Sequence, residues 1–143
     1  MWTSRYGNPK IAGAGFVPVG ITRGAPRFAL GYELRANLYD FAPTYAMMKM
    51  ADGEHGRAAF TQAMRERLDA LGPLRAREQL EAMQDGEAGI VLLCYEDLTQ
   101  PGQWCHRQIV AAWLDEQLGL TVQELEDPGQ VKKKPSPQAG LFT

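Results

Sequence analysis

The sequence predicts an α/β protein. It should be a single compact domain with a small, partly parallel sheet flanked by helices, in a three-layer Rossmann-like arrangement. Three observations predict this. Short apolar runs bounded by turn residues, which read as buried strands, alternate with longer segments of helical periodicity. The run at 91–94 is followed by a chain-breaking loop, an amphipathic helix from Cys105 to Leu118 and a last short strand; this crossover implies a parallel pair. The length of 143 residues suits one domain with a real core.

The elements follow in chain order. Residues 2–6 read as a first strand, closed by Gly7-Asn8-Pro9. Residues 16–22 read as a second, with Val17, Val19 and Ile21 alternating and Pro18 pushing it towards a sheet edge. The irregular basic stretch Arg23-Gly24-Ala25-Pro26-Arg27-Phe28 comes next. Residues 31–42 are ambiguous: Leu34, Leu38 and Phe41 have helical spacing, but Pro43 ends whatever precedes it. A short helix is expected at 44–50, with Met47, Met48 and Met50 as core. Residues 54–71 give a clear helix, with Phe60, Met64, Leu68 and Leu71 on one face and Gly72-Pro73 as its stop. Another helix is expected at 74–83, with Leu80 and Met83 inward. The strand at 91–94 follows, then the breaker at 99–102, the helix at 105–118 and a final strand at 121–125. The domain spans 1–126, and 127–143 reads as a flexible linker and tail.

Composition narrows the class. The hydrophobic fraction is 45% and the charged fraction 22%, ordinary for a soluble protein. The net charge of −2 excludes a strong overall attraction to phosphate backbones, so any nucleic-acid contact must come from a local basic patch. No apolar run approaches the roughly 20 residues of a membrane span. The N-terminus lacks the apolar segment of a secretory signal, so a cytoplasmic location is expected. There, two cysteines are expected as thiols or metal ligands, not as a disulfide.

The chemistry concentrates in the run from Leu92 to Arg107. It holds both cysteines, one of the two histidines, an acid and an arginine. Cys94 and Glu96 fall at the carboxyl end of a strand, and Cys105, His106 and Arg107 in the first turn of a helix. Ligands bind there in open α/β folds, because unpaired helix N–H groups converge. A cysteine at a helix start, near an arginine, has its thiolate favoured. Cys94, Glu96, Cys105, His106 and Arg107 are therefore the candidate catalytic residues, with Glu96 and His106 as base and acid, or Glu96 orienting His106. Cys94, Cys105 and His106 also suit zinc. Only three such ligands exist and no CxxC pair, which argues against a structural zinc site. The plain alternative is that both cysteines simply pack.

Arg5, Arg23 and Arg27 lie at strand ends or loops, where a guanidinium can fork onto phosphate or carboxylate; Tyr6 and Asn8 sit beside Arg5 and complete a candidate substrate pocket. The commoner fate of such arginines is a surface ion pair. Arg57, Arg65 and Arg67, interleaved with acids, read as a solvated helix face, and His55 as a solvated or capping residue.

Ser4-Arg5-Tyr6-Gly7-Asn8-Pro9, Val19-Gly20-Ile21 with Pro26-Arg27-Phe28, and Leu92-Leu93-Cys94-Tyr95-Glu96 with Cys105-His106-Arg107 resemble the bacterial and phage family called domain of unknown function 488. The resemblance covers most of residues 2–125. The family's better-known branch carries an Asp-Val-Arg segment that is absent here, so the chain resembles a shorter, divergent branch. The resemblance implies an α/β domain with Cys94, Glu96, Cys105, His106 and Arg107 gathered in one place, and no established activity.

The tail has a resemblance of its own. Gln138-Ala139-Gly140-Leu141-Phe142 is similar to the peptide by which bacterial replication and repair proteins bind the sliding clamp. Gln138 would reach a polar notch, and Leu141 and Phe142 an apolar pocket, from a Lys/Pro/Ser tether. The expectation is a DNA-metabolism enzyme acting on a nucleic acid or nucleotide and tethered to the clamp. The alternatives are a non-catalytic adaptor and a thiol or metal sensor.

Overall fold

The run Gly-Ile-Val-Leu-Leu-Cys has no polar interruption, and a strand of that kind must be covered on both faces. In the computed structural model, which describes residues 1–13, 15–52 and 55–129, it becomes the central strand of the sheet. Among the described residues five strands form one sheet: β1 (Trp2–Arg5), β2 (Phe16–Gly20), β3 (Ala36–Asn37), β4 (Gly89–Cys94) and β5 (Gln123–Glu124). Their order is β3-β2-β4-β1-β5, and every ladder is parallel. The sheet is thus more uniformly parallel than expected. The crossover from β4 does not return beside it, because β1 lies between β4 and β5 and pairs with both.

Among the described residues four α-helices accompany the sheet: α1 (Tyr45–Met50), α2 (Gly56–Leu71), α3 (Pro73–Met83) and α4 (His106–Leu118). All four contribute to one core. Met47, Phe60, Met64, Leu68, Leu80, Val110, Trp113 and Leu114 pack on Val17, Val19, Ile90 and Leu92. The other face of β4, Val91 and Leu93, is covered by irregular chain carrying Ile11, Leu30, Tyr32 and Leu34, and by Leu125. The arrangement is compatible with a three-layer Rossmann-like order in which loops supply the third layer. This follows from the connections. β1 to β2 and β2 to β3 are parallel steps without helices, so both loops must run back across that face.

Several local expectations change. Pro18 sits in β2, one strand in from the edge, rather than at the edge. Its carbonyl accepts from the Arg35 amide at 2.8 Å, so its missing N–H also points towards β3, whose pairing begins only at Ala36. No bond to β4 is lost, because a strand residue directs its N–H and C=O to the same side. Residues 31–42 hold the two-residue strand β3 and a 3₁₀ turn at Tyr39–Phe41, not a helix. Of the three methionines expected as core, only Met47 is buried; Met48 and Met50 are exposed, because a six-residue helix offers one inward stripe. Thr44 caps α1, accepting from the Met47 amide at 3.2 Å. Arg67 does not belong to a solvated face: it donates to the Ala42 and Tyr39 carbonyls at 2.7 and 2.9 Å and fastens the 3₁₀ turn to α2. His55 is the exposed N-cap residue of α2.

No helix among the described residues is long and apolar enough to cross a membrane. The described chain stays against the domain as far as Gly129, through Asp127. Gln138, Leu141 and Phe142 lie outside the described residues.

Leu92 is fully buried at the centre of β4, against the helices. Leu92→Ala should cost about 2–5 kcal/mol in urea denaturation, because the removed atoms leave a cavity that the sheet cannot close.

Candidate functional site

Three strands end level with one another. The Tyr6 amide donates to the Cys94 carbonyl at 2.9 Å, and the Ile21 amide to the Leu93 carbonyl at 3.0 Å. The carboxyl ends of β1, β4 and β2 therefore form one ledge, and α4 starts above it. Cys105 is the N-cap residue of α4, in extended conformation, with its amide donating to the Gln108 side-chain oxygen at 3.0 Å. This cap fixes the direction in which Cys105 and His106 leave the helix.

A cavity of about 730 Å³ opens over the ledge. Cys94, Glu96, Cys105 and His106 are among its lining residues, and so are Arg23 and Arg27. Phe28, Tyr95 and Trp104 supply aromatic wall. The size suits a ligand of nucleotide dimensions.

Arg107 does not line the cavity. It is fully buried behind the floor, where it donates to the Cys94 sulfur at 3.0 Å and to the Glu96 carbonyl at 2.8 Å. Its other edge forks onto both carboxylate oxygens of Glu124, at 3.0 and 2.8 Å. Glu124 also accepts from the Thr3 hydroxyl at 2.8 Å. Arg107 is thus the support of the site, binding the strand end, the loop after it and β5 together.

His106 is buried, and its Nε2 lies 2.6 Å from the Ile21 carbonyl. A carbonyl only accepts, so Nε2 carries the proton and Nδ1 keeps a lone pair. Nδ1 lies 3.6 Å from the Cys105 sulfur. Burial pushes the His106 pKa down to about 4; the Ile21 bond opposes this, and the neighbouring Arg107 charge adds to it.

The sequence reading expects two separate thiols, but the structure joins Cys94 and Cys105 in a disulfide. Ten residues lie between them in sequence, yet the strand end and the helix cap place their side chains face to face. In the reduced pair, Cys94 faces the Arg107 guanidinium, which favours its thiolate, and Cys105 faces the lone pair of His106 Nδ1, which accepts from a thiol. The Glu96 carboxylate stands 3.6 Å from the Cys94 sulfur. The Cys94 and Cys105 sulfurs and a His106 ring nitrogen all lie within 4.8 Å of one another.

The remaining predicted residues divide. Arg27 is exposed at the cavity wall. Arg23 stacks between Tyr39 and Tyr45, 5.6 and 5.5 Å from the ring centres, with its Nε buried and unbonded among the described residues. Arg5 faces a separate cleft beyond Phe28 and Tyr95 and is paired with Asp127 at 2.6 and 3.1 Å. Tyr6 is fully buried; its hydroxyl meets that of Thr22 at 2.6 Å, and burial raises its pKa to about 12. Asn8 is buried and bridges Ser4 and the Glu126 carbonyl. Arg5, Tyr6 and Asn8 are therefore engaged in internal bonds.

A family model described as DUF488-N3a, the active DUF488-N3 subclade, matches residues 3–118. The chain belongs to the DUF488 family. No curated protein and no solved structure matches it significantly. The family segment contains Cys94, Glu96, Cys105, His106 and Arg107. It ends before Glu124 and Asp127, the acids that neutralise Arg107 and Arg5.

Sequence reasoning missed Glu124, Ile21, Thr22 and Asn37. Asn37 accepts from the Thr22 amide at 3.3 Å and donates to the Thr22 carbonyl at 2.6 Å, which holds the cavity wall in place. Gly20 permits this: a Cβ there would collide with the Asn37 amide oxygen and the Tyr6 hydroxyl. The one available signal was the glycine closing an apolar strand.

Two predictions follow from this geometry. Glu124→Ala leaves a buried guanidinium half-paired and should destabilise the fold by about 2–4 kcal/mol in denaturant titration, at the low end because Glu124 is partly exposed. The second concerns pH. His106 binds its proton less readily folded than unfolded, so the unfolded chain takes up more protons below pH 6.5 and stability falls with falling pH. The loss should run from about pH 6.5 to about pH 4 and reach on the order of 3 kcal/mol. Denaturation midpoints across that range should show it, and His106→Gln should flatten the slope.

Proposed function

We propose that the protein is an enzyme of DNA metabolism that acts on a nucleotide or nucleic acid in the cavity over the strand ends. The observation that carries this reading is the division of the cavity. Its floor holds the reactive cluster Cys94, Cys105, His106 and Glu96; its wall holds Arg23 and Arg27 with Phe28, Tyr95 and Trp104. Guanidinium groups fork onto phosphate, and aromatic faces stack on bases, so the wall matches the two halves of a nucleotide. The description of the family branch as active agrees with chemistry at the floor. The buried Nδ1 of His106 is neutral at physiological pH and suits a base or a ligand, and Glu96, exposed at the cavity, suits a proton carrier.

In the same reading the tail delivers the domain to its substrate. Gln138, Leu141 and Phe142 bind the bacterial sliding clamp, and the linker lets the domain search near that anchor in the cytoplasm. Without catalysis, the same tail makes the protein an adaptor. A thiol sensor is the second reading that a specific observation favours, namely the joined Cys94–Cys105 pair.

The test is a binding and turnover screen of the reduced, full-length chain with nucleotides and short single-stranded oligonucleotides. Binding is expected, and Arg23→Ala and Arg27→Ala should each weaken it tenfold or more, the value of one charge-assisted hydrogen bond. Cys105→Ser should abolish turnover while leaving binding intact. A screen with no binding at millimolar nucleotide defeats the enzyme reading. Removing residues 138–143 should abolish association with purified clamp at tens of micromolar without shifting the melting temperature; unchanged association would remove the tether from the proposal.

A further inference from the structure

We infer that the reduced Cys94–Cys105 pair and His106 form a binding site for a zinc-class divalent cation, with its fourth coordination position open to the cavity. The three donor atoms lie within 4.8 Å of one another, and all three residues are buried. Two thiolates and an imidazole are the donor set that selects zinc over magnesium or calcium.

The geometry fits in three respects. Zinc–sulfur and zinc–nitrogen bonds of about 2.3 and 2.0 Å, at a tetrahedral angle, place the two donors about 3.5 Å apart. The Cys105 sulfur and His106 Nδ1 stand at 3.6 Å. The Ile21 carbonyl holds the proton on Nε2, which is the outer hydrogen bond that metal-bound histidines use to present the other nitrogen. The Cα atoms of Cys94 and Cys105 are 7.4 Å apart, wider than the roughly 4.4–6.8 Å usual for a disulfide, so the backbone leaves room for an ion between separated sulfurs.

The surroundings fit as well. Two thiols lose two protons on binding, so the doubly charged ion and two thiolates form a neutral unit. The Arg107 guanidinium, 3.0 Å from the Cys94 sulfur, is then a hydrogen-bond donor to a bound thiolate, with its own charge balanced by Glu124. Cys94, Cys105 and His106 all line the cavity, so an ion among them faces it. Three protein ligands with an open fourth position is the arrangement of catalytic zinc, not structural zinc. The Glu96 carboxylate, 3.6 Å from the Cys94 sulfur, would stand beside such an ion, where it could serve as a proton acceptor. This site stands whether or not the ligand in the cavity is a nucleotide.

The experiment uses the full-length chain kept reduced with a phosphine, which turns the disulfide into two thiols and is itself oxidised to phosphine oxide. Elemental analysis should give about one zinc per chain. Cobalt substituted for zinc should show thiolate-to-cobalt charge transfer in the ultraviolet and tetrahedral bands in the visible. Cys94→Ser, Cys105→Ser and His106→Gln should each lose the stoichiometric ion, with circular dichroism checking that they fold. Arg27→Ala should keep the metal even where it loses nucleotide, so failure of the metal site and failure of the nucleotide reading are separable. In the parent protein, bound zinc should shield both thiols from alkylation. Reduced parent protein that takes up neither ion, or whose thiols alkylate equally with and without zinc, overturns the inference.

Discussion

The buried charge of Arg107 is the constraint on which the site depends. A guanidinium with no access to water is tolerated only when its donors are used and its charge is matched. The structure meets that demand with a sulfur at the end of β4, a carbonyl from the loop after it and a carboxylate from β5. Each partner comes from a different segment, so satisfying one side chain fixes three segments in relation to α4. The β5 strand has two residues and little pairing of its own. Its hold on the sheet comes in large part through Glu124, which ties Arg107 to Thr3.

The same reasoning explains why the site has a rigid floor and an adaptable wall. The floor groups sit on strand ends and a capped helix, with His106 locked to Ile21 and Cys94 locked to Arg107. The wall at 23–28 is a loop without secondary structure, anchored at Thr22 by Asn37 and at Gly24 by the Tyr95 hydroxyl at 2.7 Å. Reacting groups need fixed geometry, whereas groups that grip a ligand gain from being able to close on it. Arg27 and Phe28 lie in the exposed part of that loop, between its anchors and the solvent.

Much of the architecture was legible because it rests on patterns that local chemistry enforces. The strand at β4 and the helix at α4 stand out as an apolar run and an amphipathic segment separated by turn residues. Their ends put four of the five candidate catalytic residues, all but Arg107, at one cavity. Strand order was less legible. The presence of β1 between β4 and β5 depends on which apolar edges meet, and no local pattern encodes that. The role of Arg107 was misread for a related reason. Its position in the first turn of α4 points to a pocket, but the helix rotates it towards the sheet, and the acid that receives it is 17 residues away in a strand of two residues. Arg5 behaves similarly: its partner Asp127 falls in a stretch with a linker's composition.

The two cysteines show how state and position differ. The sequence placed them on facing elements, and the absence of a secretion signal argued for two free thiols. The structure places their sulfurs in bonding contact, with an imidazole nitrogen, a guanidinium and a carboxylate around them. A purely structural disulfide has no need of such neighbours, because a joined pair neither titrates nor binds a metal. Arg107 is placed to stabilise a thiolate on Cys94, and His106 presents a lone pair that a Cys105 thiol can donate to or a metal ion can share; both roles require separate sulfurs. A neutral disulfide draws little from either. The polar investment around the pair is therefore best understood as built for the reduced state, and the oxidised pair as one that the same floor can also hold.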